Sequence, residues 1–351
     1  MYLPRGPLWR NEEAEATTLS TLSHHLPNHH IVCINYRFSQ QHQYPTPVHD
    51  TLTGWQWILS NILPKRAISR PGRAEHVGRL TVCGELIGGG LASMLALTEC
   101  RIGEPGVIAA AVNSPLVDWV SVGEQSPASV RSFQPGKRAV GQLLDLRRTL
   151  FCKPDRYFEP FASPLLLFRT SGVPLPSAPT EVELDDMEQW SQYEREEYAK
   201  QHTPNDVGAI DHAASEDVFA SALVPVPSRR MSRRYPSVSL NLRLPSFRVS
   251  SGSLAPFTQQ SKELIHVLRQ SFVRQARQTT GGSSFGRKVL LEDEEDQSED
   301  DDEKNLKATQ KSEAEKKAQL HQHRDLGLWD GSKEGNQKVE EVAQWLKQKM
   351  Q

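Results

Sequence analysis

Gly84-Glu85-Leu86-Ile87-Gly88-Gly89-Gly90 is the stretch whose reading decides the fold. Ahead of it, Arg79-Leu80-Thr81-Val82-Cys83 is short and β-prone; behind it, Leu91-Ala92-Ser93-Met94-Leu95-Ala96-Leu97 is rich in good helix formers. Strand, glycine-dense turn and helix therefore follow one another without a spacer. The glycines permit a tight reversal and let the helix and strand backbones approach closely. Glycine on either side of a two-flanked central residue is the spacing of a nucleophile elbow, whose apex carries the attacking group on a strained turn. The apex here is Leu86, which has no proton to give up and no lone pair to attack with.

Outward from this turn, strand and helix signals alternate. Residues 12–26 alternate at helical spacing and stop at Pro27. His30–Tyr36 is a β-branched run that reads as a buried strand. Thr51–Leu63 carries Leu52, Trp55, Ile58, Leu59 and Ile62 on one helical stripe. Val107–Val112 is the next strand, 246–251 another, and Arg287–Leu291 a short candidate; Thr258–Gln275 and Val339–Met350 read as amphipathic helices. Such alternation predicts an α/β chain with a mostly parallel sheet and helices on both faces.

The organisation expected from composition has five parts. Residues 1–170 form the first part of the domain, with cap material in 119–160. Residues 171–240, rich in Pro, Ser and Arg, read as a disordered insertion. Residues 241–291 continue the domain. Residues 292–320 read as a second disordered insertion, acidic and then lysine-rich: 10 of the 12 residues from Glu292 to Glu303 are acidic, and self-repulsion favours a solvated chain. Residues 321–351 supply the C-terminal helix.

Bulk properties exclude several classes. Lys and Arg total 41 against 43 Asp and Glu, so no global positive field exists to hold a nucleic acid. The four cysteines (Cys33, Cys83, Cys100, Cys152) are widely spaced without a C-x-x-C pair, and predict buried thiols in a reducing, cytoplasmic setting. No apolar run of membrane-spanning length occurs. Met1–Pro7 lacks the apolar core of a signal peptide, and reads as the end of a strand with the earlier N-terminal strands missing. His24-His25 and His29-His30 are dense in imidazole but have no acidic or thiol neighbour to complete a ligand set, so no metal and no cofactor is expected.

Several motifs together resemble the fold-3, hormone-sensitive-lipase-like group of α/β-hydrolases, and within it a fungal branch. Ile34-Asn35-Tyr36-Arg37-Phe38 is similar to that group's Asp-Tyr-Arg-Leu strand, and Tyr44-Pro45-Thr46-Pro47-Val48-His49-Asp50 to its Pro-Phe-Pro-Ala-x-x-x-Asp segment. Gly84–Gly89 resembles its Gly-Asp-Ser-Ala-Gly-Gly elbow, Ser163-Pro164-Leu165 a Ser-Pro-Leu segment near its cap, and Gly252–Phe257 its Gly-x-x-Asp-Pro-Leu turn. The match covers about residues 1–170 and 240–350. The resemblance implies an α/β-hydrolase-like sheet and an esterase-type site.

Position by position, the same resemblance removes the chemistry it implies. Leu86 stands at the nucleophile position and Ala255 at the acid position. The oxyanion loop of glycines is replaced by Leu3-Pro4-Arg5-Gly6-Pro7, in which two prolines have no N–H to donate. His321 or His323 fills the place of the base, but Arg324-Asp325-Leu326-Gly327 follows where the family has Gly-Phe. Loss of any one such element costs on the order of 10²–10⁶ in rate. Two readings stand. One is a non-catalytic binding or scaffold protein, holding a small acyl or aromatic ligand or a protein partner. The other is a carboxylic ester or amide hydrolase with Cys83 or Glu85 as nucleophile.

Overall fold

The computed structural model describes residues 1–63, 78–123, 136–172, 230–280 and 299–351. By internal contacts the chain forms two units, Met1–Ser171 with Ser232–Gln351, and Gly172–Met231. All the elements below belong to the first; nearly all of the second lies outside the described residues.

Five strands build one parallel sheet in the spatial order β1 (Tyr2–Leu3), β2 (Arg79–Glu85), β3 (Gly106–Asn113), β4 (Ser246–Gly252) and β5 (Ala318–His323). The helices are α1 (Glu12–His25), α2 (Thr46–Asn61), α3 (Leu86–Thr98), α4 (Gly136–Leu150), α5 (Thr258–Thr280), α6 (Glu299–Lys317) and α7 (Lys333–Met350). Parallel pairing requires crossovers: α1 and α2 lie in the connection from β1 to β2, α3 in that from β2 to β3, α4 in that from β3 to β4, and α5 and α6 in that from β4 to β5, while α7 follows the last strand.

The two sheet faces are covered differently. On one, Val82, Ala110, Val112, Phe247 and Val249 pack with side chains of α2, α3 and α5. On the other, Tyr2, Cys83, Ala109 and Ala111 pack with Leu22 of α1 and Val339, Val342, Ala343, Trp345 and Leu346 of α7. The two covering helices of that face are capped in sequence: the side chain of Asn11 accepts from Ala14 N and that of Ser332 from Gly335 N, each occupying an otherwise orphaned amide. Among the described residues no helix is long and apolar enough to cross a membrane.

The strand at 30–36 and part of the segment 292–320 are revised, and two further expectations fall wholly or largely outside the described residues. The strand foreseen over 30–36 is reduced to a single bridge of Cys33 with Tyr2, held by Tyr2 N to Val32 O (2.8 Å) and Ile34 N to Tyr2 O (3.0 Å). Among the described residues its one strand neighbour, β1, offers two residues to pair with. The short strand foreseen at 287–291 lies outside the described residues; the strand that pairs with β4 is β5. Of the polar segment 292–320, residues from Glu299 are helix α6 and then the start of β5. Lys, Glu and Ala are strong helix formers, and Gln310 and Ala314 are buried. The insertion foreseen over 171–240 lies outside the described residues as far as 229, apart from Ser171 and Gly172.

Candidate functional site

At the carboxyl end of the sheet, β2 ends at Glu85 and α3 begins at Leu86 with no intervening residue. Leu86 has φ 55, in the left-handed region. That conformation costs an L-residue roughly 1–2 kcal/mol and persists only where surrounding structure over-determines it. The glycines provide that constraint by close packing. A Cβ on Gly84 would lie 2.6 Å from Gly88 O, one on Gly88 would collide with the carbonyls of Leu3 and Pro4, and one on Gly90 with Leu116 O. Leu116 N in turn donates to Leu86 O at 3.0 Å. The turn is a nucleophile elbow in backbone geometry, and its apex side chain is fully buried.

Glu85, next to the apex, is also fully buried and its carboxylate is fully engaged. Oε2 is ion-paired with Arg5 Nε; Oε1 accepts from Asn113 Nδ2 and from Trp329 N, both at 2.7 Å. Arg5 also donates to Trp329 O, and Asn113 Nδ2 to Gly327 O (2.7 Å). Burial pushes the Glu85 carboxyl above its usual range, against the opposing pull of Arg5 and of the Trp329 and Asn113 donors. One carboxylate thus ties together the elbow, the loop after β1, the end of β3 and the loop before α7. Sequence reading missed its partners. The available signal was Arg5, a cation set in the otherwise apolar run Met1–Leu8 and thus in need of a buried counter-charge.

Cys83 points to the opposite face of the sheet, into the cluster of Tyr2, Ala109 and Ala111, and burial pushes its thiol above the usual range. It shares no space with the apex side chain. Ala255 lies in the turn after β4, where Ala255 N donates to Gly252 O at 3.1 Å. This turn packs on the loop after β5: Ser253 N donates to His323 O (2.7 Å) and Leu254 N to Asp325 O (3.3 Å). His321 and His323 are strand residues, in register with Ser250 and Gly252. Burial lowers both imidazoles below their usual pKa, helped by Arg248 at His321 and by Lys338 at His323. The loop from Arg324 to Gly331 that follows them contains no histidine. In the loop after β1, Pro4 O accepts from the Tyr36 hydroxyl (2.8 Å) and Arg5 N donates to Glu15 Oε1 (3.3 Å). Of the histidine pairs, His24 and His25 contact each other edge-to-face. Among the described residues no three metal-ligating side chains converge.

The space over the elbow is filled by aromatic side chains. Phe38, Trp119 and Phe151 contact one another at centroid separations of 5.1–6.2 Å, with Tyr44 stacked on Phe151 at 5.4 Å. What remains between them and Ile87, Gly90, Leu91 and Leu116 is a cavity of about 20 Å³, room for about one water. Two motifs flanking this cluster meet: Asp50 accepts from Arg37 N (2.8 Å), Nε (3.0 Å) and Nη2 (2.8 Å), clamping the loop after residue 36 to α2. That bidentate pair holds Asp50 below the usual carboxylate range.

A family model described as alpha/beta hydrolase fold matches residues 10–180. Among solved structures, the chain is similar to a hyperthermophilic esterase from the archaeon Pyrobaculum calidifontis, with 15% identity and a TM-score of 0.53 over 99% of this chain and 73% of that one. It is also similar to an esterase of the bacterial hormone-sensitive lipase family, with 16% identity and a TM-score of 0.51 over 100% and 76%. No curated protein matches it in sequence. The elbow geometry, the parallel sheet and these likenesses agree: the chain has the α/β-hydrolase fold, and its residues 10–180 match that family's model.

Proposed function

We propose that this protein is a non-catalytic member of its superfamily, a binding or scaffold protein that keeps the hydrolase framework without the acyl chemistry. The observation that carries the reading is Leu86: a fully buried leucine at φ 55, on the apex where this turn otherwise displays a nucleophile. Ala255, in the turn expected to carry the acid, has nothing with which to orient or charge-stabilise a base. Leu326-Gly327-Leu328 follows β5 in the place of a His-Gly-Phe sequence, and Gly327 has φ 68 against the backbone of Gly252. We read Leu326 as the third apolar replacement.

The alternative nucleophiles are poorly placed for the task. Cys83 lies under the far face of the sheet as a neutral thiol, and a thiol attacks as thiolate. Every oxygen of Glu85 is taken by a donor whose loss would leave a buried charge or amide unpaired. The aromatic filling of the cavity argues against a small acyl or aromatic ligand at the elbow, since such a ligand needs several hundred Å³. With the elbow closed to small ligands, the reading is left with a protein partner on the outer surface.

The test is turnover of p-nitrophenyl acetate by the full chain. The expected rate equals that of the Cys83→Ala and Glu85→Gln variants and shows no burst. A burst, or a rate that either substitution abolishes while the protein stays folded, overturns the reading.

A further inference from the structure

A second cleft lies far from the elbow, between α5 and α6. It encloses about 530 Å³ and is lined by His266, Arg269, Val273, Arg274 and Arg277 of α5 and by Lys311 and Glu315 of α6, among others. Arg269 Nε donates to Ala318 O at 3.1 Å, which sets the cleft at the amino end of β5, opposite the sheet edge that carries Leu86.

Among the described residues its positive charge is only partly compensated. Three arginines and a lysine face one carboxylate, Glu315, and among the described residues none of the four cations has a carboxylate within ion-pair distance. The arginines are instead held by neutral acceptors. Arg269 is fixed through Nε to Ala318 O, Arg274 through Nε to Gln270 O (3.3 Å) and through Nη2 to Ser271 Oγ (2.8 Å), and Arg277 through Nε to Gln310 Oε1 (3.4 Å). These bonds orient each guanidinium while leaving Nη donors unspent. Burial, and then the like charge of Arg234, pull Arg274 below its usual pKa. A cluster of like charges held in place this way costs stability unless an anion relieves it.

We propose that the α5–α6 cleft binds a small organic anion carrying adjacent phosphate groups. Planar guanidinium forks match phosphate oxygens in pairs, and Lys311 adds a point charge on the facing helix. The volume falls within the roughly 300–1,000 Å³ of small-ligand sites, and Val273 and Ala314 form an apolar floor for the organic part.

The probe is pyrophosphate, titrated calorimetrically into the full chain. Saturable binding is expected, tighter than that of inorganic phosphate and weakened by salt. Arg277→Gln and Lys311→Gln, both at exposed positions, should each weaken it about tenfold without changing the circular dichroism. Absence of binding, or equal affinity in both variants, overturns the proposal. A further arm replaces Glu292, Asp293, Glu294, Glu295 and Asp296 by their amides. Binding that emerges only in that variant makes the chain's own acidic run the occupant, and overturns the proposal as well; binding in the unmodified chain supports it.

Discussion

At Leu86 a hydrophobic side chain occupies a backbone conformation that L-residues avoid, and the strain of roughly 1–2 kcal/mol is offset by burial of the whole side chain. The residue beside it explains why the turn persists. Glu85 bonds to Arg5, Asn113 and Trp329 from three separate parts of the chain, so its role is to hold the carboxyl edge of the sheet together. Glu85→Ala is expected to cost about 3–5 kcal/mol, because it leaves the Arg5 guanidinium buried without its counter-charge. Glu85→Gln, which keeps an acceptor for Trp329 N, should cost less. Urea denaturation monitored by circular dichroism measures both. Equal stability of wild type and Glu85→Ala would mean that Glu85 is not the tie described.

Among the elements, the β2–α3 junction and the β5–α7 pair make separable predictions. A methyl group on Gly88 would meet the carbonyls of Leu3 and Pro4, backbone atoms that cannot rotate away. Gly88→Ala should therefore destabilise by about 1–3 kcal/mol or more. A wild-type unfolding midpoint in that variant would contradict the close approach. On β5, the folded-state pKa values of His321 and His323 lie below the unfolded value. The unfolded chain then binds more protons as pH falls below about 6.5. Stability from these residues is present above that pH and is lost on acidification toward their folded pKa values. Wild type should lose more of its urea midpoint between about pH 7.5 and about pH 5.5 than the His321→Gln/His323→Gln variant does. Arg248, Lys338, Glu341 and Asp325, which act on these imidazoles, are unchanged in that comparison. Identical pH profiles would show that neither imidazole is linked to folding.

Over the whole molecule, the features legible in the sequence are those with a local signal. Leu80–Cys83, Val107–Val112 and Phe247–Ser251 are apolar or β-branched runs between turn residues, and all are central strands. The glycines after Glu85 announced the elbow, and the Tyr36-Arg37 and Pro45–Asp50 motifs proved to be two halves of one clamp. Ala318–His323 carries a single leucine and no β-branched residue, and is a strand because β4 presents an unpaired edge to it. The partners of Glu85 are 28, 80 and 244 residues away along the chain, beyond any local pattern. The filling of the elbow cavity depends on Phe38, Tyr44, Trp119 and Phe151, drawn from separate segments whose convergence only the fold creates. Together these features describe a hydrolase framework with a buried leucine at the apex of its elbow, on which the proposed loss of acyl chemistry rests. The most direct test incubates the full wild-type chain with a fluorophosphonate and reads the intact mass. The account predicts no adduct, whereas a stoichiometric adduct mapping to residues 83–90 would contradict it.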